Sequence, residues 1–193
     1  MYNHTAKLAN NFIYLPIELV MDAKKINIIN KLNRLLNHQV TLIAEDIDYL
    51  SYQTASLPQD ISAYDAYRIM TQSQPKWLKI LFQMRDFLGR MVGIRTIKGF
   101  NQLTEDIPNI GDLVHFFTVF ELEKDKLTLV IKDHHLDVCL HLRLIDDNDQ
   151  QNKLYVITSV KNHNLIGKLY MVPVSVLHPF IVNRLLKNLN AKK

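Results

Sequence analysis

The chain has 193 residues, of which 48% are hydrophobic and 22% charged, which is the composition of one globular domain able to bury a core. The formal net charge is +4, and its lysines and arginines form short scattered clusters without any block of five or six like charges, which argues against nucleic-acid binding. The single cysteine, Cys139, excludes an internal disulfide framework and is expected to be a buried, inert thiol in a reducing compartment.

No targeting or spanning segment is predicted. The first residues lack a basic region followed by a clean apolar run, so no secretory signal is expected. Residues 12–20 lean apolar but contain Pro16 and Glu18, and no stretch approaches the roughly 18 apolar residues that a membrane span needs. We therefore expect a cytoplasmic protein without a transmembrane segment.

The N-terminal region combines an arm with one helix. Residues 1–15 show no periodic pattern. Apolar residues then recur at helical spacing within residues 22–37, namely Ile28, Ile29, Leu32, Leu35 and Leu36. Asp22 is a suitable cap for this helix. Because the helix precedes the first strand, we predict that residues 1–39 are an addition to a core domain of residues 40–193.

A strand and two helices follow. The strand is predicted over residues 40–55. The next segment starts with a capping box formed by Ser62 and Asp65. Its inward face is predicted to carry Ala63, Ala66, Tyr67 and Met70. The second helix begins at Pro75 and ends at Gly93. Its inward face is predicted to carry Trp77, Leu81, Met84, Leu88 and Met91.

Strands dominate the second half of the chain. Residues 95–111 are predicted to form a loop, and a hairpin follows over residues 113–131. Residues 134–145 alternate strictly, with leucines and Val138 on one face. The other face carries His135, Asp137, Cys139, His141 and Arg143. A polar turn leads to a last strand over residues 153–161. Such short connections favour antiparallel pairing, because parallel strands need long crossovers.

The final apolar-rich segment, residues 162–189, is predicted to be helical. Asn164 caps a first piece that Pro173 ends, with a strand over residues 168–174 as the alternative. A second piece begins near Pro179. It has Val182, Leu185, Leu186 and Leu189 on one face. We expect the sheet to close on this helix, with a cavity opening near Gly167 and Tyr170.

Three pieces of the sequence resemble, in order, a bacterial family known as domain of unknown function 2867. They are Pro75-Lys76-Trp77 with Leu81, Arg85, Asp86 and Leu88 downstream, then Asp133-His134-His135-Leu136-Asp137, and then Asn164 to Tyr170 continuing through Pro173 to His178 and Arg184. The family expects an aromatic residue and an arginine where Val138-Cys139 stand. The element order resembles the helix-grip fold of the START and birch-pollen-allergen superfamily. This implies an α+β fold in which a curved antiparallel sheet wraps a long C-terminal helix, with an N-terminal helical extension.

Six residues are candidate ligand-binding residues, namely His135, Asp137, His141, Tyr170, Trp77 and Arg85. Asp137 and His141 lie about 13 Å apart along one strand, which is too far for both to bind one metal ion with bonds of about 2.0–2.2 Å. Their face of the sheet either meets solvent or lines a cavity mouth. Core packing also accounts for Trp77 and Tyr170, and a surface ion pair with Asp86 also accounts for Arg85.

Three functions follow from these patterns. No Gly-x-Ser-x-Gly, His-Glu-x-x-His, Cys-x-x-Cys or Gly-x-Gly-x-x-Gly motif occurs, so no cofactor or metal is predicted and catalysis is left open. The first hypothesis is a module that binds a small hydrophobic or amphipathic molecule between the sheet and the C-terminal helix. The second is a cyclase- or hydrolase-like enzyme with His135, Asp137 and Tyr170 as acid–base groups. The third is a protein-interaction module acting through the N-terminal helix, and the oligomeric state is left open.

Overall fold

The computed structural model describes residues 17–37, 40–91, 106–148 and 151–190. These ranges contain four helices and six strands, so the predicted α+β class is confirmed. In chain order the elements are α1 (Ile17–Leu35), β1 (Tyr49–Pro58), α2 (Ala63–Gln72), α3 (Lys76–Met91), β2 (Leu113–Val114), β3 (Phe117–Leu122), β4 (Lys126–Lys132), β5 (Leu136–Asn148), β6 (Gln151–Asn162) and α4 (Leu165–Asn190). The arm predicted over residues 1–15 and most of the loop predicted over residues 95–111 lie outside the described residues.

The six strands form one curved antiparallel sheet in the order β1-β6-β5-β4-β3-β2. Strands β2 to β6 follow one another as hairpins, which confirms the predicted antiparallel meander. Strand β1 joins the sheet at its edge by pairing with β6, with Tyr49 opposite Val160 and Pro58 opposite Gln151. The first and last strands of the chain are therefore neighbours, and α4 leaves the sheet beside them.

One face of the sheet packs against α2 and α4, and we call it the α4 face. Alternation along the strands places Leu142 and Leu144 of β5 and Leu154 and Val156 of β6 on this face, where all four are buried. The four residues predicted on the inward side of the C-terminal helix are buried here as well, namely Val182, Leu185, Leu186 and Leu189. The prediction of the main core is confirmed.

The opposite face is covered as well, and we call it the α1 face. Leu32 lies in α1, and Leu36 is the first residue after that helix. Both side chains are fully buried. They pack in a second cluster with Ile47, Leu50, Tyr155 and Ile157. The predicted N-terminal helix therefore exists, and part of its apolar stripe packs on the chain's own sheet, while Leu35 is 44% exposed.

The strand predicted over residues 40–55 is wrong in its first half. Residues 40–48 are not a strand, and β1 begins at Tyr49 and continues to Pro58. The apolar residues of this segment pack across the α1 face instead of joining the sheet. One tie to the sheet is the backbone N of Ile43, which donates to Ser159 Oγ at 3.0 Å. Residues 40–48 therefore bury their apolar side chains without being part of a strand.

The two middle helices follow the prediction in part. Ser62 Oγ accepts from the backbone N of Asp65 at 3.1 Å and donates to the Asp65 carboxylate at 2.6 Å, which confirms the capping box of α2. In α3, Leu78 is buried while Trp77 is 43% exposed, so Trp77 was wrongly assigned to the inward face. The side chains of Met84, Leu88 and Met91 lie outside the described residues.

Helix α4 is continuous, so the predicted break at Pro173 and the alternative strand are both wrong. A proline inside a helix removes one hydrogen bond and costs roughly 3 kcal/mol. Burial of Met171 before the proline and Val182 after it holds both halves on the sheet. Within the described residues this helix alone is long and apolar enough to cross a membrane, although core helices pass the same test. A single helix of this kind is compatible with the expectation of no transmembrane segment.

Candidate functional site

His135 lies in the turn between β4 and β5, directly against the start of α4. Its Nδ1 is 3.0–3.2 Å from the side-chain amide of Asn164. That amide donates from Nδ2 to the carbonyl oxygen of His134 at 3.1 Å and accepts on Oδ1 from the backbone N of Gly167 at 3.1 Å. Asn164 is therefore the cap of α4, as predicted. The contacts of His135 serve to fix the helix start on the sheet.

Asp137 points to the α1 face. Its Oδ1 accepts from the backbone N of Asp133 at 3.2 Å and lies 3.2 Å from His163 Nε2. Its neighbour two residues on, Cys139, is 1% exposed, and burial raises the pKa of the Cys139 thiol to about 12. A thiol with such a pKa stays protonated at neutral pH and is a poor nucleophile. Among the residues that the structure describes, no three His, Cys, Asp or Glu side chains are placed to hold a metal ion.

His141 also points to the α1 face and belongs to a buried polar chain. Its Nδ1 lies 2.8 Å from Thr128 Oγ1, which donates to Glu121 at 2.5 Å. Glu121 also accepts from Thr41 Oγ1 at 2.8 Å and from Lys126 Nζ at 3.3 Å. Burial alone would raise the pKa of Glu121, but these hydrogen bonds and the Lys126 charge hold it below its usual value. These side-chain hydrogen bonds connect β3, β4 and β5 to the segment around Thr41, which covers them.

Replacing Thr128 with Val should destabilise the protein by about 1–3 kcal/mol, because the buried His141 and the half-buried Glu121 would lose the hydroxyl that they share. Urea unfolding followed by circular dichroism measures this difference. Thr54→Val is the matched control, since Thr54 lies exposed on the edge strand β1. Its expected change is within about 0.5 kcal/mol. Equal effects for the two substitutions would contradict the role given to the Thr128 hydroxyl.

The remaining predicted residues do not join Asp137 and His141. Tyr170 lies on the sheet-facing side of α4, in a cluster with Met171 on the α4 face. The sheet therefore separates Tyr170 from Asp137, and the three side chains proposed as acid–base groups do not converge on one pocket. Trp77 lies on α3 with 43% of its surface exposed. The side chain of Arg85 lies outside the described residues.

Polar side chains fill the α4 face where β1 passes beneath α4. His178 Nδ1 lies 3.3 Å from Ser51 Oγ and 3.4 Å from the Tyr49 hydroxyl. The rings of Tyr49 and His178 meet edge-on with centroids 5.8 Å apart. Thr158 is the cross-strand partner of Ser51, and Gln53 follows Ser51 on the same face. We call these five residues the His178 cluster.

Two atoms of the His178 cluster are buried without a hydrogen-bond partner among the described residues, Gln53 Oε1 and Thr158 Oγ1. Thr158 is only 4% exposed. An unpaired buried polar group costs about 1–3 kcal/mol, and the large majority of buried side-chain polar atoms in proteins are paired. A ligand that reaches these two atoms gains hydrogen bonds without displacing a protein partner.

The His178 cluster is polar but uncharged. Burial lowers the pKa of His178 to about 4, so its ring is neutral at pH 7 and offers one donor and one acceptor nitrogen. Burial also raises the pKa of Tyr49, which keeps that hydroxyl protonated. Hydroxyl, amide and imidazole groups of this kind suit an uncharged polar group such as an alcohol or a carbonyl.

A family model described as "Protein of unknown function (DUF2867)" matches residues 43–185, which is more than half of the chain. The chain belongs to the DUF2867 family. The match begins shortly before β1 and ends in the C-terminal part of α4, so all five residues of the His178 cluster lie inside it. Helix α1 precedes the DUF2867 match. No curated protein matches the chain.

The His178 cluster of this DUF2867 domain is absent from the sequence-based candidates. Tyr49, Ser51 and Gln53 alternate with Leu50 and Tyr52 along β1. Periodicity alone assigns the more apolar side of such a strand to the core and the polar side to solvent. Both faces of this sheet are covered, so the polar side is half-buried instead of facing solvent. In the sequence, His178 belongs to a piece that carries the family resemblance, and no local pattern marks it as a site residue.

A separate cavity of about 420 Å³ lies at the other end of the DUF2867 sheet, beside the β5–β6 hairpin. Gln59, Lys124, Asp125, Arg143 and Asn152 are among the residues that line it, and none of its lining residues comes from α4. Arg143 and Asp125 form an ion pair of 3.0 Å in its wall. This cavity is therefore distinct from the predicted space between the sheet and the C-terminal helix.

Proposed function

We propose that this DUF2867 protein is a binding module that holds a small, uncharged amphipathic molecule between the α4 face of the sheet and α4. The observation that carries the proposal is the pair of unpaired buried oxygens, Gln53 Oε1 and Thr158 Oγ1, beside a neutral His178. A ligand hydroxyl would donate to Gln53, and a ligand carbonyl would accept from Thr158 or His178. The polar end of the molecule thus belongs at the His178 cluster.

The apolar end of the ligand would extend toward the start of α4. Leu136, Val160 and Met171 are buried there, with Tyr170 and Val174 packed against them. Of the six residues predicted from sequence, Tyr170 is the one we retain for this site. Its ring supplies apolar surface and its hydroxyl supplies a further hydrogen-bonding group.

The proposal extends to the fold family and the division of the chain. A curved antiparallel sheet that ends in a long helix supports a helix-grip fold of the START kind. We propose that residues 40–193 form this domain and that residues 1–39 are an addition to it. A bacterial, cytoplasmic protein is proposed on the resemblance and on the single unpaired cysteine, Cys139.

Thr158→Val separates ligand binding from folding. Without ligand the variant should be as stable as the wild type or about 1 kcal/mol more stable, because it removes an unpaired buried hydroxyl. In a thermal-shift panel of long-chain alcohols, sterols and isoprenoids, however, the variant should bind the active compound roughly 5–10-fold more weakly, the loss of one hydrogen bond. Native mass spectrometry of the purified protein identifies any molecule that it retains.

Thr54→Val is again the control, since Thr54 lies outside the cluster on the exposed edge strand. It should leave both the ligand-free melting temperature and the ligand-induced shift unchanged. A protein that retains no small molecule and is not stabilised by any compound in the panel would refute the binding proposal. So would a Thr158→Val variant that binds the active compound as tightly as the wild type does.

A further inference from the structure

The side of α4 that faces away from the sheet carries a row of large apolar side chains, each 64–72% exposed. They are Leu165, Leu169, Val172, Val176 and Phe180. Their spacings of four, three, four and four residues place them on one side of the helix over about 22 Å. We call this row the outer stripe.

The outer stripe makes α4 apolar on both sides, because the opposite side is already packed on the sheet. An 18-residue window within Leu165–Leu189 has a mean hydropathy of 1.6, yet only 17% of that window is buried. Ile166 and Leu177 widen the exposed surface at its edge. The exposed apolar area is on the order of 700 Å², whereas the largest patch on a typical monomer is about 300–600 Å². A helix that is apolar all round normally has every side covered.

The charges of α4 indicate what covers the stripe. The helix contains Lys168, Arg184 and Lys187 and no Asp or Glu among its 26 residues. Pairing two copies of the chain along their stripes would bring six cations together without an acidic partner on either helix, and like charges oppose such contacts. An anionic lipid surface neutralises the same cations, and each one strengthens binding about fivefold. Charge complementarity therefore favours a lipid surface over a second copy.

We propose that the outer stripe of α4 binds the surface of an anionic membrane, with the helix lying parallel to the bilayer. Leu169, Val172 and Val176 enter the boundary between headgroups and acyl chains, which an interfacial helix penetrates by about 5–10 Å. Lys168 and Lys187 lie on the exposed surface of the helix, within reach of lipid phosphates. The sheet-facing side of α4 stays packed on the domain, so the helix does not span the membrane. This inference does not depend on the ligand site on the other side of the helix.

Vesicle co-sedimentation of the full chain tests the proposal. The wild type should bind vesicles of phosphatidylcholine mixed with phosphatidylglycerol and bind pure phosphatidylcholine at least tenfold more weakly. Leu169→Gln combined with Val176→Gln should weaken binding to the anionic vesicles roughly hundredfold, because two apolar side chains are lost. Lys168→Gln combined with Lys187→Gln should weaken binding to them more than tenfold and leave binding to neutral vesicles unchanged.

Ile110→Gln combined with Leu113→Gln is the matched control, since these side chains are equally exposed but lie at the far edge of the sheet, Leu113 in β2 and Ile110 just before it. It should bind as the wild type does. Circular dichroism verifies that all variants fold. Equal binding by the stripe variant and the control variant, or no gain from anionic lipid, would overturn the proposal. The proposal would also be overturned, in favour of a second copy as the partner, by two results together. The wild type would bind no vesicles and form a dimer, and Leu169→Gln combined with Val176→Gln would convert that dimer to a monomer.

Discussion

Replacing Gly167 with Ala should destabilise the protein by about 2–3 kcal/mol and weaken the attachment of α4 to the sheet. A Cβ at this position would overlap the backbone carbonyl oxygen of His135 and come within 3.0 Å of its carbonyl carbon. The obstacle is backbone, and its oxygen is already bound by the backbone N of His163 at 2.9 Å, so it cannot rotate away. Overpacking of this kind costs about 1–3 kcal/mol or more, and the higher helix propensity of Ala offsets at most about 1 kcal/mol.

Urea unfolding measures the loss at Gly167, and hydrogen exchange in the first turn of α4 locates it. Gly111→Ala separates steric overlap from the loss of a glycine as such. Gly111 has φ +95°, and a Cβ there would meet nothing within 4 Å, so the cost comes from the backbone conformation alone. We expect about 1–2 kcal/mol for it. A Gly167→Ala variant no less stable than the Gly111→Ala variant would contradict the close approach of α4 to the turn.

The strict alternation of residues 134–145 predicted correctly which side chains share a face, but it could not tell that both faces are buried. His141 is fully buried and Arg143 is 9% exposed, although both lie on the polar side. A period of two separates the two faces of a strand, and it carries no information on what covers either face. The cover here comes from α1 and the segment after it, which are remote in sequence from β5.

The same limit explains why the sequence-based candidates do not include the His178 cluster. The sequence-based candidates on and beside β5 were predicted because histidines and acids, such as His135 and Asp137, are close together in the sequence there. The polar groups beneath α4 are distant in sequence, with Ser51 and His178 separated by 127 positions. Their meeting depends on β1 pairing with β6 at the sheet edge, which no local pattern predicts. The strand was predicted over residues 40–55, whereas β1 begins at Tyr49. The predicted bounds therefore did not give the register with β6, in which Ser51 lies opposite Thr158.

In helix α4, tertiary packing outweighs the local preference of proline against helix interiors. Proline disfavours the interior of a helix, so a break at Pro173 was the reasonable expectation. Pro173 and Pro179 both lie inside the helix and cost roughly 3 kcal/mol each. The burial of Val182, Leu185 and Leu186 beyond them offsets this cost, at about 1.5–3 kcal/mol per side chain. Tertiary packing thus keeps one continuous helix. Its continuity aligns the His178 cluster on one side and the outer stripe on the other.

The stability of the protein should fall by about 3 kcal/mol as the pH is lowered from 6.5 to 4, owing to His178 alone. The pKa of His178 is about 4 in the folded protein because of burial, against an ordinary value of 6.5. As the pH falls, the unfolded chain therefore binds the proton first, and protonation favours unfolding. The stability present above pH 6.5 is lost progressively toward pH 4, at about 1.4 kcal/mol per unit.

His178→Gln should remove this dependence, because glutamine can still hydrogen-bond to Ser51 and Tyr49 but does not titrate. Glu121 does not obscure the test above pH 4.5, because its lowered pKa makes stability fall only below its ordinary value of 4.5. The exposed His134→Gln is the control and should keep the wild-type slope. Urea unfolding at intervals from pH 7 to 4.5 gives the three curves. A wild-type slope that survives in His178→Gln would contradict a buried neutral imidazole and the uncharged character of the site.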